Sequence, residues 1–330
     1  MNTFKEGWSM RLADWAHVLL NALIGVGMLL VVPLGLDLVD GAWTARRRLA
    51  WLAAATAGAL SLWLPRGGPA VALAAAYLLA AGWLAAGIPA RLWPPRRITP
   101  AGLAVCTALA SPSIAASALV AERAGYRLFG FPLDVLGLTV AHFHYAGFTA
   151  ALVAGLVCRL DPARRAGQLA ALAVPAGTAL VLAGFFAGDW VQLAGAAVLT
   201  AGMWITGWLT LREAAPAAAG RMTRALLVTS ALVLVATMLL ALDWAAGRAT
   251  GLPHLSASWM VATHGAANAL GFALTAVLAW RTLAAQGPAR AGDDGGRQDP
   301  ARRHDEDGDR LVRAHRIPGA LVPEVHQRHE

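Results

Sequence analysis

An all-α, polytopic transmembrane helical bundle is the fold class that this sequence predicts, on three observations. Hydrophobic residues make up 58% of the 330 and charged residues 14%, and mean hydropathy is +0.55, a balance that belongs to membrane proteins rather than soluble domains. Nine apolar stretches approach the roughly 20 residues that a helix needs to cross a hydrocarbon core of about 30 Å. Clusters of arginine fall in alternate loops between these stretches, the pattern produced when basic residues are retained on the cytoplasmic side.

The first span, Asp14 to Val39, is too long for a cleaved signal peptide. Its apolar run begins at Ala16 behind Asp14, and no small-residue cleavage site follows, so it is expected to stay as an anchor. Pro33 within it predicts a bend, because proline removes a backbone donor. Arg47 to Leu64 and Pro69 to Leu92 are the second and third spans. The fourth, Pro100 to Ala121, carries Cys106 and sets Ser111, Ser113 and Ser117 around Pro112, where hydroxyls can bond carbonyls that proline frees. The fifth, Asp134 to Leu160, holds His142, His144 and Cys158. Both cysteines sit in apolar runs at spacings that match no zinc or redox motif, and read as small buried side chains.

Ala166 to Ala187 is the sixth span, with Pro175 as a second expected bend and Gly184 and Gly188 spaced by four, which lets helix backbones approach closely. Asp189 to Leu211 opens on Asp189 and Trp190, a pair suited to helix capping and the membrane interface, as Asp14 and Trp15 are in the first span. Met222 to Trp244 is the eighth span and Ser256 to Arg281, with His264 and Asn268, the ninth.

Arg46 to Arg48, then Arg91, Arg96 and Arg97, then Arg159, Arg164 and Arg165, then Arg212, Arg221 and Arg224 mark the expected cytoplasmic loops. The other loops hold fewer arginines, mostly offset by acids. An odd number of spans then places residues 1–13 outside as a short extracytoplasmic segment, residues 14–281 in the bundle, and residues 282–330 in the cytoplasm. That tail is rich in Asp, Arg, Gly and Pro and is expected to be disordered, its histidines solvated. The net charge of +8 therefore sets topology, and the expected partner is the lipid bilayer, with no nucleic acid. Protein partners are not indicated. The near-absence of lysine, which occurs only at Lys5, and the abundance of arginine and alanine suggest a GC-rich genome and a bacterial plasma membrane.

Ionisable side chains within a span are costly and mark functional positions, which singles out His142, His144 and His264. Each lies about 12 to 15 Å below the outer end of its helix at about 1.5 Å per residue, so the three can share one layer. His17, Asn21, Tyr145 and Asn268 are the supporting polar residues, and His17, Asn21 and Gly25 repeat the pattern of His264, Asn268 and Gly271. His142 and His144 are about 200° apart on an α-helix, so they cannot both aim at one centre unless a π-bulge intervenes. Three uses stay open for the histidines. They can ligate a metal ion or haem, line a path for a proton or small solute, or hold the helices in register by hydrogen bonds alone. No Walker loop, dinucleotide fingerprint or zinc-protease motif is present, and no catalytic residue is assigned.

The string His142, Phe143, His144, Tyr145, Ala146, Gly147, Phe148, together with Thr263, His264, Gly265, Asn268, Gly271 and Phe272, resembles the YndJ-like bacterial membrane proteins. The stretch Val32, Pro33, Leu34, Gly35, Leu36 is also similar. The resemblance spans Asp14 to Arg281. It implies a multi-span membrane protein of unestablished activity and transfers no catalytic residue. The His-x-His-x-x-Gly-Phe string is loosely similar to intramembrane histidine pairs of haem-copper oxidases, which motivates the haem reading.

Overall fold

A computed structural model describes residues 11–39, 44–93 and 98–286. Most of the expected outer N-terminal segment and nearly all of the polar tail lie outside these residues. Among the described residues there are nine helical rods and no strand. They are α1 (Asp14–Leu36), α2 (Ala45–Ser61), α3 (Gly68–Leu92), α4 (Pro100–Arg123), α5 (Leu133–Leu160), α6 (Arg165–Ala187), α7 (Asp189–Ala217), α8 (Arg221–Thr250) and α9 (Ala257–Ala285). Eight are long and apolar enough to cross a membrane. The exception, α2, has 17 residues and opens on Arg46, Arg47 and Arg48.

Polar contacts at the two ends show that consecutive rods alternate in direction. At one end the start of α1 meets the start of α5 through His17 and Asp134, 3.0 Å apart, and the start of α9 through Ser258, whose hydroxyl accepts the Ala13 amide at 2.9 Å. The start of α7 joins the end of α8 there, Asp189 to Arg248 at 3.3 Å. At the opposite end Asp37 receives Arg48 from α2 and Arg281 from α9, and Glu213 near the end of α7 pairs with Arg164 before α6 at 2.8 Å.

Local chemistry sets many of the helix ends. Thr44, Thr99 and Ser256 cap α2, α4 and α9 by accepting the amides of Arg47, Gly102 and Trp259, which satisfies donors that the first turn leaves free. The carbonyls at the end of α2 are met from another helix, since Arg123 donates to the oxygens of Ser61, Leu62 and Leu64. Buried Glu122 holds that guanidinium and also pairs with Arg66 at 2.7 Å. Arg123, the last residue of α4, thus has a packing role.

Small residues bring helices into backbone contact where lipid offers no drive to associate. In the α6–α7 hairpin, a Cβ on Gly177 would fall 2.5 Å from the Leu199 amide nitrogen, one on Gly184 2.5 Å from that of Gln192, and one on Gly195 2.5 Å from that of Val181. Gly184 packs as its spacing predicts. Gly188 instead ends α6 with φ +121°, a conformation that side chains rarely adopt. Ser111, Ser113 and Ser117 bond the carbonyls of Thr107, Ala81 and Ser113, so Ser113 reaches across to α3. Cys106 and Cys158 are free and buried, as their surroundings predict.

Candidate functional site

Three rods depart from regular α-geometry at the centre of the bundle. α1 is π-helical over Gly27–Val31, α5 over Phe143–Ala150, and α9 over Val261–Gly265 and Ala267–Leu274. The segments of α1, α5 and Ala267–Leu274 pack against one another. In α1 the π-turn immediately precedes Pro33, whose missing N–H disrupts the regular ladder. In α5 and α9 the two eight-residue segments carry His144 and Asn268, Gly147 and Gly271, and Phe148 and Phe272 at equivalent positions. The two segments thus share helical form as well as these residues. Close packing follows from glycine: a Cβ on Gly27 would sit 3.0 Å from that of His144, and one on Gly35 2.6 Å from the Phe148 ring.

Beside these segments lies a chamber of about 260 Å³, walled by α1, α5, α6, α7, α8 and α9. Its lining is predominantly apolar and, among the described residues, includes no Asp, Glu, Lys or Arg. His142, Tyr145, His264 and Asn268 all border it, with Gln192 nearer the helix ends and Ala150, Met203 and Phe272 deeper. At about 1.5 Å per residue, His142 and His264 lie about 14 and about 11 Å along their helices from Leu133 and Ala257, which puts both in one layer.

His264 is oriented by α8. Its Nδ1 donates to the Thr237 carbonyl at 2.8 Å, so in the neutral ring Nε2 carries the lone pair. Asn268 accepts from the Thr237 hydroxyl at 3.1 Å and donates to the His264 carbonyl at 2.9 Å. Its amide nitrogen is 3.3 Å from each ring nitrogen of His264, and equal distances place it off the in-plane lone pair of either. Tyr145 donates to the Leu23 carbonyl of α1 at 2.5 Å. The Nε2 of His142 is buried with no hydrogen-bond partner, and so is the Oε1 of Gln192. A buried polar atom without a partner is uncommon and calls for a ligand, ion or water.

His144 faces away from this chamber. Its Nδ1 donates to the Val140 carbonyl at 2.7 Å, and its Nε2 accepts from the Tyr77 hydroxyl at 2.6 Å. Both residues are fully enclosed. The π-turn in α5 begins between the two histidines and leaves them on different faces. With both ring nitrogens engaged, His144 has no lone pair free for a metal ion. Among the described residues no group of three or more His, Cys, Asp or Glu side chains is placed to hold one.

His17 and Asn21 border a separate cavity of about 270 Å³ with Asp134, Arg66, Glu122 and Arg123. There Asn21 donates to the Leu62 carbonyl at 3.1 Å. The structure therefore gathers His142, His264, Tyr145 and Asn268 around one space, and places His144, His17 and Asn21 elsewhere. A family model described as YndJ-like protein matches residues 22–272.

The chain belongs to the YndJ-like family. The matched region contains the π-helical segments of α1 and α5, those of α9 except Ala273 and Leu274, and every residue named around the chamber, in agreement with the resemblance carried by the two histidine strings. No curated protein and no solved structure matches this YndJ-like chain. Like its apolar helices, the family marks it as a membrane protein. Tyr77 and Thr237, which bond His144 and His264, and the unpartnered Gln192 are polar residues that the histidine strings do not point to. The signal for Gln192 was a lone amide in an apolar run.

Proposed function

We propose that this YndJ-like protein crosses the bacterial plasma membrane nine times, with its N-terminus outside and its tail in the cytoplasm, and binds a small apolar molecule in the six-helix chamber. The nine-fold crossing is supported by α2. Although short, it runs from Arg48, paired with Asp37, to Leu62, bonded to Asn21, and so covers the same slab as the Asn21 to Asp37 part of α1. The orientation rests on the arginine loops.

The observation that carries the binding reading is the buried, unpartnered Nε2 of His142 in a predominantly apolar chamber. Pockets of this kind, apolar with a few convergent polar groups, are the usual form of small-molecule sites. His142 and His264 would hold the polar part of the ligand, the Thr237 carbonyl would fix the His264 ring, and the apolar part would fill the space toward Met203 and Phe272. Metal or haem ligation through all three histidines would require His144 to give up Tyr77 or Val140. Ligation by His142 and His264 alone keeps those bonds.

The test is to purify the protein in mild detergent, extract it with organic solvent, and identify retained molecules by mass spectrometry beside a metal analysis and an absorption spectrum. An apolar compound at near-stoichiometric level, lost from His142→Leu, is the expected result. A Soret band or stoichiometric metal would replace this reading with metal or haem ligation, and an empty wild-type protein would refute it. Carriage of the ligand across the bilayer is a second reading, favoured by the π-helical segments of α1, α5 and α9, since such segments kink helices and are frequent at functional sites. Flux unchanged in His142→Leu and His264→Leu would remove it.

A further inference from the structure

The polar groups on the chamber wall specify the chemistry of what they would hold. His264 gives its Nδ1–H to the Thr237 carbonyl, and a carbonyl can only accept, so the nitrogen left for a ligand is a lone pair. Gln192, 3% exposed, presents a carbonyl oxygen with no partner, a second acceptor. The Nε2 of His142 is unpartnered as well. Against these, no charged side chain among the described residues lines the space, so a carboxylate, phosphate or ammonium entering it would lose its hydration without gaining a counter-charge. Tyr145, the one hydroxyl-bearing aromatic on the wall, has already given its proton to the Leu23 carbonyl.

We infer that the chamber selects a neutral, largely apolar molecule that carries a hydroxyl group, an alcohol or a phenol, and receives the hydroxyl proton on His264 or Gln192. The inference rests on the ligand-binding reading above and narrows it to a chemical class. A hydrocarbon would leave these acceptors unsatisfied. A ketone or an ether could accept from His142 in the tautomer with its proton on Nε2, but would still leave the acceptors of His264 and Gln192 without a donor. A hydroxyl is the smallest neutral group that supplies the missing donor, and its oxygen can in turn accept from His142 in the tautomer that places the proton on Nε2.

The probes are para-hexylphenol, its methyl ether and hexylbenzene, which share size and apolar surface but differ in the donor. Tritiated para-hexylphenol is bound to the detergent-purified full chain and displaced by each unlabelled probe. The phenol is expected to displace about tenfold better than the ether or the hydrocarbon, the worth of one hydrogen bond to an otherwise unsatisfied buried acceptor. Gln192→Met and His264→Leu should each narrow that ratio, and Gln192→Met, which keeps the side-chain volume, carries the test if His264→Leu does not fold. Saturable binding with equal displacement by all three probes, or a preference for the ether, overturns the hydroxyl assignment and leaves the apolar chamber standing. Absence of any saturable binding overturns the ligand-binding reading on which it rests.

Discussion

Replacing Tyr77 by Phe removes one oxygen from the middle of the bundle and leaves the Nε2 of His144 without a partner. Both side chains are fully enclosed and their bond is 2.6 Å long, so no water replaces the lost hydroxyl. An unsatisfied buried acceptor costs about 1–3 kcal/mol, and hydrogen bonds between membrane helices average about 0.6 with a maximum near 1.7 kcal/mol. The expected loss for Tyr77→Phe is therefore about 1–2 kcal/mol. His144→Leu should cost at least as much, since it strands the Tyr77 hydroxyl and also breaks the bond to Val140. The double variant leaves neither partner stranded, so it should be more stable than the sum of the single losses implies, by about 1–2 kcal/mol of coupling. Cys106 and Cys158 are buried and free, so a thiol-reactive dye reports unfolding without added labels. The single variants should lower the apparent midpoint by about 2–8 °C, at roughly 2–4 °C per kcal/mol. Zero coupling, or a His144→Leu protein of unchanged midpoint that has lost a bound metal, would refute the assignment of His144 as a link between α3 and α5.

Three further outcomes follow from the same geometry. Gly195→Ala puts a methyl group 2.5 Å from the Val181 amide nitrogen and 2.8 Å from the Leu180 carbonyl carbon, backbone that cannot step aside. It should cost about 1–3 kcal/mol, read as a lower midpoint with the same dye, whereas Gly82→Ala, which meets nothing within 4 Å, should leave the midpoint in place. Arg123→Leu uncovers three carbonyls at the end of α2 and leaves Glu122 with Arg66 alone. A loss of about 3–5 kcal/mol is expected, as for other broken buried pairs, and a shift no larger than that of exposed Arg127→Leu would contradict it. In a protein lacking Cys106 and Cys158, a cysteine at Gly125 should react with an impermeant maleimide added to intact cells, and one at Ala163 only after lysis. The reverse pattern would invert the orientation.

The bundle was legible because its signals are additive along the chain. About 20 apolar residues announce each helix whatever its neighbours, and arginine clusters mark the ends. Legibility weakened at α2, where Arg46 to Arg48 and a length of 17 residues make a short helix whose span depends on Asp37 and Asn21 of α1. The site was half legible for a related reason. A histidine in an apolar helix is conspicuous as a letter, but what it does depends on which lone pair its neighbours occupy. His142 and His144 look equivalent in the string, yet a tyrosine 67 residues away consumes the lone pair of His144, and nothing consumes that of His142.

The positions of the π-turns explain why Asn268 to Phe272 in α9 resembles His144 to Phe148 in α5. Glycine at 147 and 271 and phenylalanine at 148 and 272 recur because each eight-residue segment needs a small residue where another side chain crosses and a ring to fill the widened turn. Gly147 faces Ser111 at 2.6 Å and Gly271 faces Val233 at 2.9 Å, measured from an added Cβ, while Phe148 and Phe272 are both buried. The equivalent polar position is a histidine in one segment and an asparagine in the other. His144 uses it to reach Tyr77 on α3, and Asn268 uses it to reach Thr237 on α8. In both segments, then, that position is spent on joining helices. The residues left free for a ligand are His142, one residue before its π-segment, and His264, inside Val261–Gly265 and three residues before the eight-residue segment of α9.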